Sequence, residues 1–298
     1  MDIEALRKQY LAELKAETAG AAPPATSEKV AQYAASDKRD DGKLCEMLAS
    51  LSLDKENYAA SVRTLLDILA NGAIGAIARL AALRQLGSAE FHAVRFAPFH
   101  AEYIALLRRL AQDADKDVRA AVLERLTLTN DSEAQKLLRE GLENVRKALV
   151  PAAKAVQLLA RDDHGSGMPI FRELAAKAKG RVREQALRAL ASDPRSAALF
   201  ERIAADKDEK TPIREIAALN LKNASAPRFA KLARKLALDD DDDDRLRAAA
   251  VSAITHTGEV AARLATSRFG NALKSVADST RSRALKSSIR RFAKTHLG

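Results

Sequence analysis

Apolar residues recur along this chain at helical spacing, and they recur in register from one stretch to the next. The clearest stretch is Asp113–Leu126, where an acidic turn leads into Val118, Val122 and Leu126. Taking the first apolar residue of each such helix as an anchor gives Ile74, Val118, Val145, Val182, Ile213 and Leu246. Four residues on stand Ala78, Val122, Leu149, Ala186, Ala217 and Ala250. Eight on stand Ala82, Leu126, Ala153, Leu190, Leu221 and Ile254. All are apolar, and this spacing places them on one face of a helix that packs against a neighbour.

Two further columns keep the same register. Eight residues before each anchor stand Leu66, Leu110, Leu137, Leu174, Ala205 and Leu238. One residue after each anchor stand Gly75, Arg119, Arg146, Arg183, Arg214 and Arg247, and six residues before those arginines stand Asp113, Glu140, Lys177, Asp208 and Asp241. Pairing of acid with Arg between neighbouring repeats would supply bidentate hydrogen bonds and set how the repeats stack. The ladder Asp113, Arg119, Glu140, Arg146, Arg183, Asp208, Arg214, Asp241 and Arg247 therefore reads as structural. Gly75 and Lys177 interrupt it.

The acidic turn followed by Val-Arg at the start of a second helix resembles the HEAT repeat. The resemblance covers roughly residues 58–298, and the anchors step by 44, 27, 37, 31 and 33 residues. It implies antiparallel helix pairs stacked into an all-α, right-handed superhelix, an armadillo-like solenoid in which each unit touches only its neighbours. The family's usual proline in the first helix is not consistently present.

Residues 1–57 read as an N-terminal helical cap. Ile3, Leu6, Tyr10 and Leu14 form one stripe of a helix over 2–18, and an Ala/Pro linker follows at 19–27 around Pro23-Pro24. Two short helices are expected at 27–36 and 40–51, the second burying Cys45, Met47, Leu48 and Leu51. Within the repeats, Leu86–Ala97 reads as an insertion and Gly72–Gly75 as a tight turn. Pro98 should open a helix over 98–112, and Asp162–Gly167 should form a loop. Pro194, Pro212 and Pro227 sit where helices should begin, whereas Pro151 falls inside an expected helix and should kink it.

Composition agrees with helices: 47% of residues are hydrophobic, 4% are aromatic and Trp is absent. No apolar run approaches the ~18 residues of a membrane span. No signal peptide is visible, and the lone Cys45 suits a reducing compartment, so the expected location is the cytoplasm and the expected state a monomer. The formal charge is +10, and residues 259–298 concentrate it, with nine basic side chains against Glu259 and Asp278.

No catalytic constellation emerges. The five histidines are scattered without i, i+4 pairs, which leaves no local metal motif. The chain lacks the His-Glu pairs of HEAT-type di-iron hydroxylases and the aromatic walls of HEAT-like DNA glycosylases. It has no motif of the related bilin lyases, so a modifying activity rests on fold analogy alone. The six aspartates Asp239–Asp244 lack the interleaved Gly of an EF-hand loop. They read as a solvated turn whose last Asp caps the next helix. Cys45 reads as a core residue rather than a nucleophile.

The expected function is therefore that of a non-enzymatic scaffold with no cofactor, catalytic residue or metal. It would bind a protein or peptide along a groove lined by second helices. The alternative is nucleic-acid binding through Arg281, Arg283, Lys286, Arg290, Arg291 and Lys294, whose density suits a phosphate backbone. An acidic protein would serve the same cluster equally well.

Overall fold

The structure is a computed structural model that describes residues 25–161 and 167–297. The expected helix over 2–18 and most of the 19–27 linker and 162–167 loop lie outside the described residues. Among the described residues the chain forms α-helices, two short 3-10 turns and no strands, save an isolated bridge between Ala25 and Leu51. The chain divides into two compact units between Ala134 and Gln135.

The first unit contains α1 (Ser27–Ala34), α2 (Asp41–Ala49), α3 (Tyr58–Ala70), α4 (Ala76–Ala89), α5 (Ala93–Leu110) and α6 (Lys116–Leu128). Helices pair in order: α1 with α2, α3 with α4, α5 with α6. First helices also touch first helices (α1, α3, α5) and second helices touch second helices (α2, α4, α6). Local chemistry starts each one. Asp40 caps α2 by accepting from Lys43 N at 2.8 Å, and Asp115 caps α6 by accepting from Asp117 N and Val118 N. Gly75 precedes α4, where a Cβ would meet the Asp41 carboxylate of α2 unless that side chain moved. The division between the units falls within α7 (Ser132–Glu143).

The second unit continues with α8 (Ala152–Leu159), α9 (Met168–Lys177), α10 (Gly180–Ala189), α11 (Ala197–Ala205), α12 (Thr211–Ala224), α13 (Ala226–Leu238) and α14 (Asp244–Thr255). It ends with α15 (Gly258–Leu264), α16 (Ser267–Ser279) and α17 (Arg283–His296). Here α9 pairs with α10, α11 with α12, α13 with α14, and α16 with α17. Second helices again form a continuous row: α8, α10, α12, α14 and α17. Short α15 is an extra element against α13 and α14. Pro212 and Pro227 lie in the first turns of α12 and α13, while Pro194 opens a 3-10 turn ahead of α11.

The apolar columns form the core. Outside the Val145 stretch every anchor, i+4 and i+8 residue is buried, except half-buried Val182. Several local expectations are overturned. Val145-Arg146 lies in a 3-10 turn (Val145–Lys147), with Val145 84% exposed. The cause is Pro151, which does not kink a helix but stands just before α8. It disfavours helical backbone at Val150, and no α-helix runs from Val145 to Ala153. Pro98 does not open a helix either; it sits inside α5. Burial of Phe96, edge-on to Tyr103 at 5.4 Å, draws the helix start upstream to Ala93. Only Glu90–His92 then connect α4 to α5, and no insertion exists at 86–97. In α2 the core position belongs to Leu44 rather than Cys45 or Met47, both half-buried.

Candidate functional site

The arginine column becomes regular once the helix starts are known. Arg79, Arg119, Arg183, Arg214 and Arg247 each occupy the fourth residue of α4, α6, α10, α12 and α14. Arg79, not Gly75, is thus the first member. Sequence spacing alone contained this signal, because Ala78-Arg79 repeats the apolar–Arg pair four residues beyond the chosen anchor.

Three of these arginines make the same connection. Arg214 Nε donates to Ala204 O at 3.0 Å, near the end of its own first helix. Its two terminal nitrogens bind Asp242 at 2.7 and 2.6 Å in the turn of the next pair. Arg79 donates from Nε to Leu69 O and grips Asp113 in the same bidentate way. Arg183 donates to Ala175 O and pairs with Glu209. The partner acid therefore lies in the following turn, as Asp113, Glu209 or Asp242; Asp208 and Asp241 are exposed neighbours of the acids used. Arg119 turns back onto the carbonyls of Asp113 and Ala114, and Arg247 onto Asp240 and Asp244. Glu140 pairs with Lys147, and Arg146 lies exposed in the 3-10 turn.

The Arg79 guanidinium holds the Asp113 carboxyl below the usual carboxylate range. Burial is the largest influence on Asp242 and raises its value, but the Arg214 hydrogen bonds, the Asp243 backbone N–H and the Arg214 charge together outweigh it and leave the net shift downward. The aspartate run is thus employed in packing. Asp239 pairs with Lys207, and Asp242 with Arg214. Asp243, not Asp244, caps α14 by accepting from Arg245 N and Leu246 N. Asp244 instead binds Arg247 and accepts from Thr280 Oγ1. Among the described residues, no three His, Cys, Asp or Glu side chains converge as metal ligands. Burial chiefly pushes the Cys45 thiol up. No helix among the described residues is long and apolar enough to cross a membrane.

Among the described residues, two surfaces combine a cavity with side chains that the Arg–acid links do not use. The first belongs to the first unit. Leu80, Leu83 and Gly87 of α4, Phe91 beyond it, and Ala121 and Leu128 of α6 line a groove of 590 Å³. Phe91 is 91% exposed and Leu128 57%. Arg125, paired with Glu90, lies across Gly87 at the groove wall. Neither Phe91 nor Leu128 was singled out by the sequence columns, because each lies at the end of a helix and outside the repeating register.

The second surface belongs to the second unit. Ser282 caps α17, and Leu285, Ile289 and Phe292 bury one stripe of it. Arg283, Lys286, Arg290, Arg291 and Lys294 consequently fall on the opposite arc, since each residue advances about 100°. Arg281 precedes the helix and is also exposed. None of the six has an ion-pair partner among the described residues. His296 Nε2 donates to Thr255 O at 2.9 Å, which ties the end of α17 to that of α14. Beside this face, α16 and α17 enclose a cleft of 610 Å³. A scan of family models finds no match to the chain, and a search of curated proteins finds no similar sequence.

Proposed function

We propose that the chain is a non-enzymatic adaptor built of HEAT-like helix pairs in a right-handed superhelical array. In this reading it binds a protein or peptide partner through the groove of α4 and α6. Support for the architecture comes from the rows of second helices within each unit and from the Arg–acid links between successive turns. The observation that carries the binding role is Phe91, which stands 91% exposed at the rim of an apolar groove that Leu128 closes on the other side. Large exposed apolar side chains around a concavity mark interaction sites. A buried aromatic anchor carries a disproportionate share of binding energy.

The test is affinity capture with the full chain from nuclease-treated lysate. Native bait, Phe91→Ser with Leu128→Glu, and Arg290→Glu with Arg291→Glu are compared. A partner retained by the native chain and by the arginine variant, but lost by the Phe91/Leu128 variant, supports the groove. Partners that ignore the Phe91/Leu128 change, or a substrate turnover abolished by one polar substitution, would sink the proposal.

A further inference from the structure

We infer that the cleft between α16 and α17 is a second, separate docking site, and that its occupant is an acidic amphipathic peptide. Two features of the cleft argue together. Its floor is apolar, with Ala277, Ala293 and Leu297 beside the buried Leu273 and Phe292, while Asn271 and His296 add polar groups to its walls; Leu297 lies against Gly270, where a Cβ would come within 2.6 Å of it. Its rim is basic: Lys274 and Arg290 border it, and the remaining exposed cations of α17 extend from that edge. A volume of 610 Å³ falls in the range that accepts several side chains.

Charge complementarity selects an acidic partner. Residues 259–298 carry nine basic and two acidic side chains, and among the described residues Arg263 alone of the nine is ion-paired, with Glu259. α17 itself contains no acidic residue. The apolar floor then distinguishes peptide from nucleic acid. A phosphate backbone gains nothing from an apolar slot, and single strands gain affinity by stacking on exposed aromatic rings. Phe269 and Phe292, the aromatic residues of these helices, are 2% and 0% exposed. Asp278 on the cleft rim opposes a uniform polyanion but can face an N–H or hydroxyl of a peptide. An amphipathic peptide would place apolar side chains in the slot and carboxylates against Arg290 and its neighbours.

Fluorescence anisotropy on the full chain tests this with three labelled probes of equal charge. They are a helical peptide with Leu and Phe at i, i+4 and i+7 among glutamates, its counterpart with Ser at those positions, and a single-stranded oligonucleotide. The amphipathic peptide should bind roughly tenfold or more tighter than either other probe. Arg290→Glu with Arg291→Glu should weaken it and shallow its salt dependence. Ala277→Leu, which fills the cleft, should weaken the amphipathic peptide alone. Equal binding of the two peptides, tighter binding of the oligonucleotide, or no binding at all would overturn the inference. Circular dichroism checks that each variant folds, and the probe comparison on the native chain decides the matter if Ala277→Leu does not.

Discussion

Arg214 keeps 4% of its side chain exposed and Asp242 2%. Charges that deep are costly to desolvate, and the bidentate geometry offsets the cost only while both partners remain. Arg214→Met should therefore destabilise the protein by about 3–5 kcal/mol, because it strands a buried carboxylate. Replacing both partners by apolar residues should recover most of that loss. Asp208→Ala removes an exposed side chain with no such bond, so its urea midpoint should stay near that of the native chain. Equal losses at Asp208 and Arg214 would contradict the pairing observed. Asp113 adds a pH signature in the first unit. Arg79 depresses its folded-state pKa, so the pair stabilises above the unfolded value of about 3.9. That contribution fades as pH falls through the folded value. Asp113→Asn should be less stable than the native chain at pH 6, and its urea midpoint should fall less steeply between pH 4 and pH 3.

At the scale of the helix, proline decides where pattern alone misleads. Val145-Arg146 has the same apolar–Arg pair as Val118-Arg119, yet no α-helix forms there. The period of apolar residues is a statement about one face; whether backbone can follow it depends on Pro151, which breaks helical continuity six residues on. The converse holds at Pro98. There, burial of Phe96, Phe99 and Tyr103 outweighs the lost backbone bond, and α5 runs through the proline. The helical core was legible because each face repeats every three or four residues. The acids of the turns were legible to within a residue, since turn geometry chooses between Asp208 and Glu209 or between Asp241 and Asp242; which arginine takes each was not, for the Asp113 carboxylate binds Arg79 of the preceding pair rather than Arg119. The prediction at this scale concerns α5. Pro98→Ala restores an N–H inside the helix, so it should raise stability by about 1–2 kcal/mol. Hydrogen exchange should slow in Ala93–Pro98 most of all. An unchanged exchange rate there would mean that the proline is already accommodated without loss.

Over the whole chain, cohesion is unevenly distributed. The basic face was readable from sequence because five of its six residues share one helix, α17, and Arg281 lies just before it. The apolar groove was not, because Phe91 and Leu128 meet only through the packing of α4 on α6. The Arg links are equally uneven: they join successive turns from α9 to α14 and from α3 to α6, while the segment 144–148 has none of that form and is exposed throughout. Its 3-10 turn is held by short-range bonds such as Lys147 N to Asn144 O at 2.9 Å. Val145 buries little there. A protease needs a stretch that can leave its packing, and exposed backbone with local hydrogen bonds opens at low free energy. Two competing basic turns are tighter: Ala178 and Lys179 alone separate α9 from α10, and the α16–α17 turn is pinned by Thr280 to Asp244. Among the described residues, limited trypsin digestion of the native chain should therefore cut first after Arg146 or Lys147. Amino-terminal sequencing should then find a fragment beginning at Lys147 or Ala148, and an earlier cut after Arg290 or Arg291 would place the weakest segment in α17 instead.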